Sequence, residues 1–571
     1  MHTSPRVSKG SLDYTLRFFH TLLTQDEAAR KQALDRILWQ LENSLQGSDQ
    51  GQLFVAHIAT ITRFASEVPF SDVREAFSSL LERAETTLPV HSPVYSMVKE
   101  YQRLRRPIFS RFIPNDQLPT VQNANSVTLR LFTDNFLFTG RISTVVRVMA
   151  FFPSYLEAYI QSYRAIMRRP GPLPETWRNY LGLMAGARLR CSYIVHMQET
   201  EFLLHGGDIR WLESDENVPP KLLVIRELNA ILAHQPWLLK SEHLQRLAHP
   251  ASSLGGQVSW SLSECVLAIL IFSHFHSLAG FIEGCGLCPD IDMDSRDSLV
   301  RLLLTREQDG GGTEEEEMAT KTNDALQSPP SEVEATRQLV EKLKRAIILQ
   351  EDTSYSDSGD QQQFAKSASI DSNSHEHRSW NSDGSFTEAM EAKYSRIAGF
   401  TEYYPLKHED FDVNSKTYKI FHIHEYNWSD HGYALINAFY EDGELASLLD
   451  KQFDIIYHLT DNSIGMNANV DTSIFRRAIW VYVHRLMGIM HDDYDYRLVN
   501  LILKQPLKAF IKKVACKPET ISRNDFERMG LALRPEEKVQ IVLLSMEARK
   551  QAELLYGLHA IMKWMNQDSD D

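Results

Sequence analysis

Cysteine is scarce in this chain: five residues in 571. An odd number spread so thinly points away from a disulfide framework and suits a reducing compartment, so a cytoplasmic location is expected. Unbroken apolar runs are also short. The longest, such as Val266 to Phe272, fall far below the ~20 residues of a membrane-spanning helix, and no membrane insertion is expected. No N-terminal stretch combines a basic start, an apolar run and a cleavage site, so no secretory signal is read. Excess positive charge is missing too. Sixty Lys and Arg against 75 Asp and Glu leave a net charge of −15. That argues against nucleic acid as a partner, because counterion release needs clustered cations. The P-loop, the dinucleotide fingerprint and the nucleophile elbow are all absent, and no cofactor is assigned.

What is present is a globular composition, 43% hydrophobic and 24% charged, on a chain long enough for at least two cores. Apolar residues recur at helical spacing through most of it. Asp26 is placed to cap a helix carrying Ile37 and Leu41, and Ser71 a helix carrying Leu80 and Leu81. Trp177 to Thr200 reads as one regular helix, and Ser261 to Gly284 as an apolar one. A final helix starts near Pro535 and buries Val539, Leu543, Met546, Leu554, Leu558 and Ile561. Residues 306–390 are acidic and Ser-rich, too poor in apolar surface to offset their ordering entropy, and read as a mobile linker. Within it, Leu339, Leu343 and Ile347 share one helical face, which predicts a single docking helix.

The stretch Tyr457 to Tyr496 carries the most chemistry. Arg476 follows Val470-Asp471-Thr472-Ser473, an arrangement suited to a small anion. Asp492-Asp493-Tyr494-Asp495-Tyr496 is an acidic–aromatic cluster that suits a protein partner, or alternatively a solvated turn. Neither resembles a turnover site. Cys285-Gly286-Leu287-Cys288 lacks the second cysteine pair of a structural zinc site and reads as two free thiols. His422-Ile423-His424-Glu425 places two imidazoles on one face of an extended segment, but no third ligand is evident, and no metal is assigned. Lys504, Lys508 and Lys512 form a helical stripe that reads as a solvated face.

Two groups of motifs resemble a known family. Leu173-Pro174-Glu175-Thr176-Trp177-Arg178-Asn179-Tyr180, Ala185-Gly186-Ala187-Arg188-Leu189-Arg190-Cys191-Ser192-Tyr193 and Leu232-Ala233-His234-Gln235-Pro236-Trp237-Leu238 resemble the N-terminal lobe of a sestrin. Trp428-Ser429-Asp430-His431-Gly432-Tyr433 and the Tyr457–Tyr496 stretch resemble the C-terminal lobe. The resemblance extends from about Phe112 to the C-terminus, broken at the linker. It implies an all-α fold of two lobes, each similar to an alkylhydroperoxidase D-type helical domain. The expected domains are an N-terminal helical extension (1–110), a first lobe (111–305), the linker (306–390) and an amino-acid-binding lobe (391–571).

Sestrins are cytosolic stress and nutrient proteins. In the amino-acid-sensing members, leucine binding in the C-terminal lobe releases the GATOR subcomplex that promotes signalling by the TOR kinase. Carried over residue by residue, the resemblance makes Arg476 the partner of the ligand carboxylate, which suits its two-pronged donor geometry. Glu537 becomes the partner of the ammonium, and Thr460, Ser463 and Thr472 the lid hydroxyls. Phe475 and Leu533 stand in the apolar cup, where the sensing members have leucine and phenylalanine, and Gly530 stands where they have tryptophan. The polar clamp is kept and the cup altered. From the residues alone, a structural ion pair between Arg476 and Glu537 is the favoured reading, since buried charges need partners whatever their function, and the resemblance reverses that preference.

Asp492, Asp493 and Tyr494 match the surface that contacts the GATOR subcomplex. Cys191, followed by Tyr193, matches the family's reactive cysteine. The family's histidine seven residues later is Gln198 here, which cannot act as a base. Weak peroxide chemistry and a packed thiol both remain readings of Cys191. The family has also been linked to Rag GTPases through basic residues near Lys504–Lys512, a pattern from which Gln505 departs. Three functions are expected to compete: an amino-acid-gated regulator of TOR signalling, a thiol peroxidase using Cys191, and a nutrient-insensitive GATOR-binding scaffold.

Overall fold

A computed structural model describes residues 17–46, 51–103, 108–249, 258–293, 330–352, 384–399, 407–411, 418–440 and 443–567. Most of the linker expected at 306–390 lies outside them. The fold is all-α. Among the described residues, extended pairing is confined to two two-residue ladders and one isolated bridge.

Local sequence sets several helix starts. Asp26 Oδ1 accepts from the amides of Ala28 and Ala29 at 2.9 and 3.1 Å and opens helix Glu27–Gln46. Ser261 and Glu264 form a capping box ahead of helix Leu262–Gly284. Ser71, expected as a cap, is instead the first helical residue of Ser71–Thr87, behind Phe70. A larger difference falls in Trp177–Thr200, which is two helices rather than one. Helix Glu175–Arg188 ends, Arg190 takes a left-handed φ of 53°, and Cys191 becomes the N-cap of helix Ser192–Leu204. The apolar spacing continues through the break, which is why the sequence reads as unbroken.

The described residues group into two compact units. Segments 1–109, 119–147 and 288–333 contribute to the first. Its core is aromatic, with Phe64 and Phe77 edge-to-face at 5.6 Å. Charge is buried there and matched. Arg63 Nε lies 3.0 Å from Asp292 Oδ2, Arg141 Nη1 3.0 Å from Asp290 Oδ2, and Arg147 Nη2 3.4 Å from Glu67 Oε2. Thr144 adds two donors to Asp290 Oδ1, at 3.2 and 3.1 Å. Burial pushes Glu67 up to about 7 against the pull of Arg147.

Segments 110–118, 148–287 and 334–571 form the second unit. Helix Leu262–Gly284 runs through its centre. It is the one helix among the described residues long and apolar enough to cross a membrane, and its most apolar window is wholly buried in the protein. Ser273, His274, His276 and Ser277 interrupt the apolar run but not the helix. It packs on helix Pro535–Gln567, where Gly557 permits close approach: a Cβ there would lie 2.5 Å from Ile269 Cγ2. All six apolar residues expected on the stripe of the final helix are buried. Some buried polar groups at this centre are hydrogen-bonded, whereas the Ser273 hydroxyl and both ring nitrogens of His274 have no hydrogen-bond partner among the described residues. His276 Nδ1 lies 2.8 Å from Glu553 Oε2 and its Nε2 2.9 Å from Asn229 Oδ1. Tyr155, Gln452 and Lys550 all donate to Glu547.

In helix Pro330–Asp352, Leu339 and Leu343 are buried. The amide of Ala532 donates to its Thr336 hydroxyl at 2.8 Å. That contact sets the helix beside the cavity described next.

Candidate functional site

After helix Glu444–His458 the chain forms a short lid. Strands Ser463–Ile464 and Asn467–Ala468 pair antiparallel around Gly465. Asn462, Gly465 and Asn469 take positive φ, as a tight reversal requires. At Gly465 the requirement is strict: φ is 58°, and a Cβ would lie 2.5 Å from the carbonyl oxygen of Ala532. Thr472 then precedes helix Ser473–Leu486 without a side-chain capping bond, and the helix carries Phe475 and Arg476 inward. The opposite wall comes from Leu533 and the first turns of helix Pro535–Gln567.

Between these walls lies a narrow cavity of about 20 Å³, partly open to solvent. Ser463, Ile464, Thr472, Phe475 and Arg476 line one side, and Leu533, Glu537, Gln540, Ile541 and Leu544 the other. Of the expected ligand-binding residues, only Thr460 stands behind the lining. Its hydroxyl lies 3.1 Å from that of Thr472.

Arg476 Nε donates to the carbonyl oxygen of Tyr457 at 2.8 Å, and Nη1 donates to the Thr472 hydroxyl. Nη2 has no hydrogen-bond partner among the described residues. Burial lowers the Arg476 pKa, and the nearby Asp471 partly restores it. Glu537 accepts from the amide of Gly465 at 2.8 and 3.0 Å and from the amide of Arg534 at 2.7 Å. Burial raises its pKa despite those donors and the Arg534 guanidinium, 3.1 Å away. Arg476 and Glu537 make no ion pair with each other. The cavity thus has a cationic and an anionic end, apolar walls at Phe475, Leu533, Ile541 and Leu544, and hydroxyls near the cation. Its charge pattern is complementary to that of a small zwitterion.

Two residues missed in the sequence shape this site. Arg534 bridges Asp461 (2.6 Å), the Ser463 hydroxyl (2.7 Å) and Glu537. The i,i+3 spacing of Arg534 and Glu537 was the available signal. Gly465 carried none beyond being a glycine. Gly530, read as a cup position, lies against Pro506 at a φ of 77° and is outside the lining.

The acidic cluster is divided. Asp492 lies against His422 and His424, and Asp493 pairs with Arg477 at 3.0 Å with a mostly exposed side chain. Tyr494 is buried, with the Arg477 guanidinium 5.2 Å from its ring centroid. The lysine stripe is only partly solvated: Lys504 and Lys508 are half-buried. Lys512 is buried and pairs with Asp410 at 2.6 Å, because the apolar side of helix Gln505–Cys516 turns inward at that position.

Cys191 is fully buried, and burial, with Glu283 next, holds its thiol well above the ordinary range. A thiol kept protonated is a poor nucleophile. Tyr193 and Gln198 are buried in the same helix. All five cysteines are buried and none is in a disulfide, Cys285 and Cys288 included.

The fold is all-helical, and its last segment carries this narrow cavity with one cationic and one anionic end. Residues 108–565 match the family described as PA26 p53-induced protein (sestrin). A protein named Sestrin homolog from Dictyostelium discoideum is 34% identical over 591 residues, covering 99% of this chain and 92% of the relative. Sestrin-1 of Macaca fascicularis is 37% identical over 472 residues, covering 81% and 92%. Sestrin-2 of Homo sapiens is 34% identical over 458 residues, covering 80% and 91%. The chain belongs to the sestrin family.

Proposed function

We propose that this chain is a cytoplasmic, amino-acid-gated regulator that restrains TOR signalling through the GATOR subcomplex. The ligand carboxylate meets Arg476 and the Thr472 hydroxyl, and its ammonium meets Glu537. Its side chain lies among Phe475, Leu533, Ile541 and Leu544, which suits leucine or a similar aliphatic residue. One observation carries the reading: the buried Arg476 guanidinium and the buried Glu537 carboxylate line one cavity without pairing with each other, although Arg534 holds part of the carboxylate. Charges buried this way normally find each other. Leaving both available to the same space suits a ligand that brings the complementary pair. Binding shifts the protein between two states by its differential affinity for them. The exposed acidic side chains at Asp492 and Asp493 form the partner surface in this reading, and charge reversal at both weakens co-purification of the GATOR subcomplex. A role for Rag GTPases gains nothing from Lys512, which is committed to Asp410.

Isothermal titration of the full chain with a panel of amino acids tests the reading. Saturable heat is expected from leucine or a near relative, and Arg476→Met and Glu537→Gln abolish it. No heat from any amino acid overturns it. That second outcome favours the insensitive scaffold, whose specific support is Arg534, since its guanidinium already occupies part of the Glu537 carboxylate.

A further inference from the structure

The third ligand that the sequence did not offer to His422 and His424 is supplied by the fold. Strand Phe421–His422 pairs parallel with Ile489–Met490, with His422 opposite Met490. The amide of Ile423 donates to the carbonyl of Met490 at 2.9 Å, which fixes the register. Two residues further along each strand, His424 and Asp492 come side by side. His422 Nδ1 lies 2.6 Å from Asp492 Oδ1, and His424 Nδ1 lies 2.5 Å from Asp492 Oδ2. One donor atom from each of the three residues falls within 4.8 Å of the others.

Bonds of about 2.0–2.2 Å keep any two donors on one zinc ion within about 4.4 Å of each other. A small turn of one imidazole therefore closes the set. The strand beneath is anchored by Phe421, which is buried against the rings of Tyr556 and His559 at 4.9 and 5.1 Å. The backbone is thus held while the ligand tips face solvent. Burial does not explain the convergence. The His424 side chain is 64% exposed, and the core loses nothing if it swings away. Exposed groups held together in this way cost side-chain entropy with little return from pairing alone.

We propose that His422, His424 and Asp492 form a binding site for a divalent transition metal of the zinc class. Two imidazoles and one carboxylate suit Zn²⁺, Co²⁺ or Ni²⁺ over Mg²⁺ or Ca²⁺, which prefer all-oxygen sets. Water completes the coordination, and the solvent-facing side stays open to a further ligand. Glu425 and Asp493 flank the triad but are engaged with Lys419 (3.4 Å) and Arg477 (3.0 Å). The site stands apart from the amino-acid cavity and does not depend on that reading.

The test uses the full-length, tag-free chain, stripped of metal. Co²⁺ is titrated while the visible ligand-field absorption is followed, and Zn²⁺ is then added to displace it. One Co²⁺ per chain is expected, with Zn²⁺ reversing the signal. H422A, H424A and D492N should each weaken binding by at least about tenfold, with unchanged circular dichroism before metal is added. H458A is the control, because His458 is an exposed histidine paired only within its own helix, to Asp454 at 2.9 Å. It should bind as the parent does. Absence of saturable stoichiometric binding in the micromolar range overturns the proposal. So does binding that survives H422A and H424A, or that falls equally in H458A.

Discussion

The buried charges of the first unit and those around the cavity are built from the same residue types and are arranged in opposite ways. Arg63, Arg141 and Arg147 each meet a carboxylate within 3.4 Å. Arg476 meets a carbonyl and a hydroxyl, Glu537 meets amides and Arg534, and the space between the two is left unfilled. In the first set the cost of desolvating each charge is offset inside the protein. In the second, Arg476 meets only neutral acceptors, and in the proposed function a ligand offsets the remainder. Placement relative to other charges, rather than burial as such, separates structural charges from those available to a ligand.

The comparison breaks most visibly at Asp292. Asp292→Ala strands Arg63 in the core and should lower stability by about 3–5 kcal/mol in urea unfolding. Arg476→Met should cost no more than about 1.5 kcal/mol while abolishing amino-acid heat in calorimetry. Equal losses of stability would make Arg476 structural. Gly465→Ala comes next. A left-handed backbone with a side chain costs roughly 1–2 kcal/mol, and the added methyl group meets the Ala532 carbonyl. The lid should lose its grip on Glu537, read as lost ligand binding with a modest fall in melting temperature.

Glu283 sits between the two cases. It is paired with Arg111 at 3.4 Å, yet burial pushes it up to about 7. The folded protein therefore keeps this proton to higher pH than the unfolded chain does. Its contribution to stability is present below the ordinary carboxylate value of 4.5 and is lost as pH rises towards about 7. Glu283→Gln should flatten the fall of the urea midpoint across that window. The smallest expected effect is at Arg534. Arg534→Met releases a half-exposed ion pair worth at most about 1 kcal/mol, so amino-acid affinity should rise by no more than about fivefold in titration. A loss of affinity would instead make Arg534 part of the clamp.

Much of the fold could be read from local chemistry. Asp26, Ser261 and Pro535 mark helix starts, and the stripe from Val539 to Ile561 is buried as its spacing predicts. The clamp residues are legible only through family resemblance, because residues 460, 476 and 537 meet through tertiary folding. What the sequence concealed depends on backbone twist or distant pairing. Arg190 breaks a helix that its side-chain pattern continues. Asp492 reaches histidines 68 and 70 residues earlier only because two short strands align in parallel. The N-terminal segment shows another limit. The family match begins at residue 108, while the Dictyostelium relative aligns over 99% of the chain. Arg63 and Glu67 lie before that start, yet they take part in two of the three buried ion pairs described in the first unit.

The five sheltered sulfurs give the molecule a built-in clock. Cys288 belongs to the first unit and Cys191, Cys265, Cys285 and Cys516 to the second, and all are out of solvent. A maleimide can reach each one only when its surroundings open, so labelling rates followed residue by residue report how often each unit breathes. A nutrient that tightens the second unit should slow four of those rates and leave the pace of Cys288 unchanged.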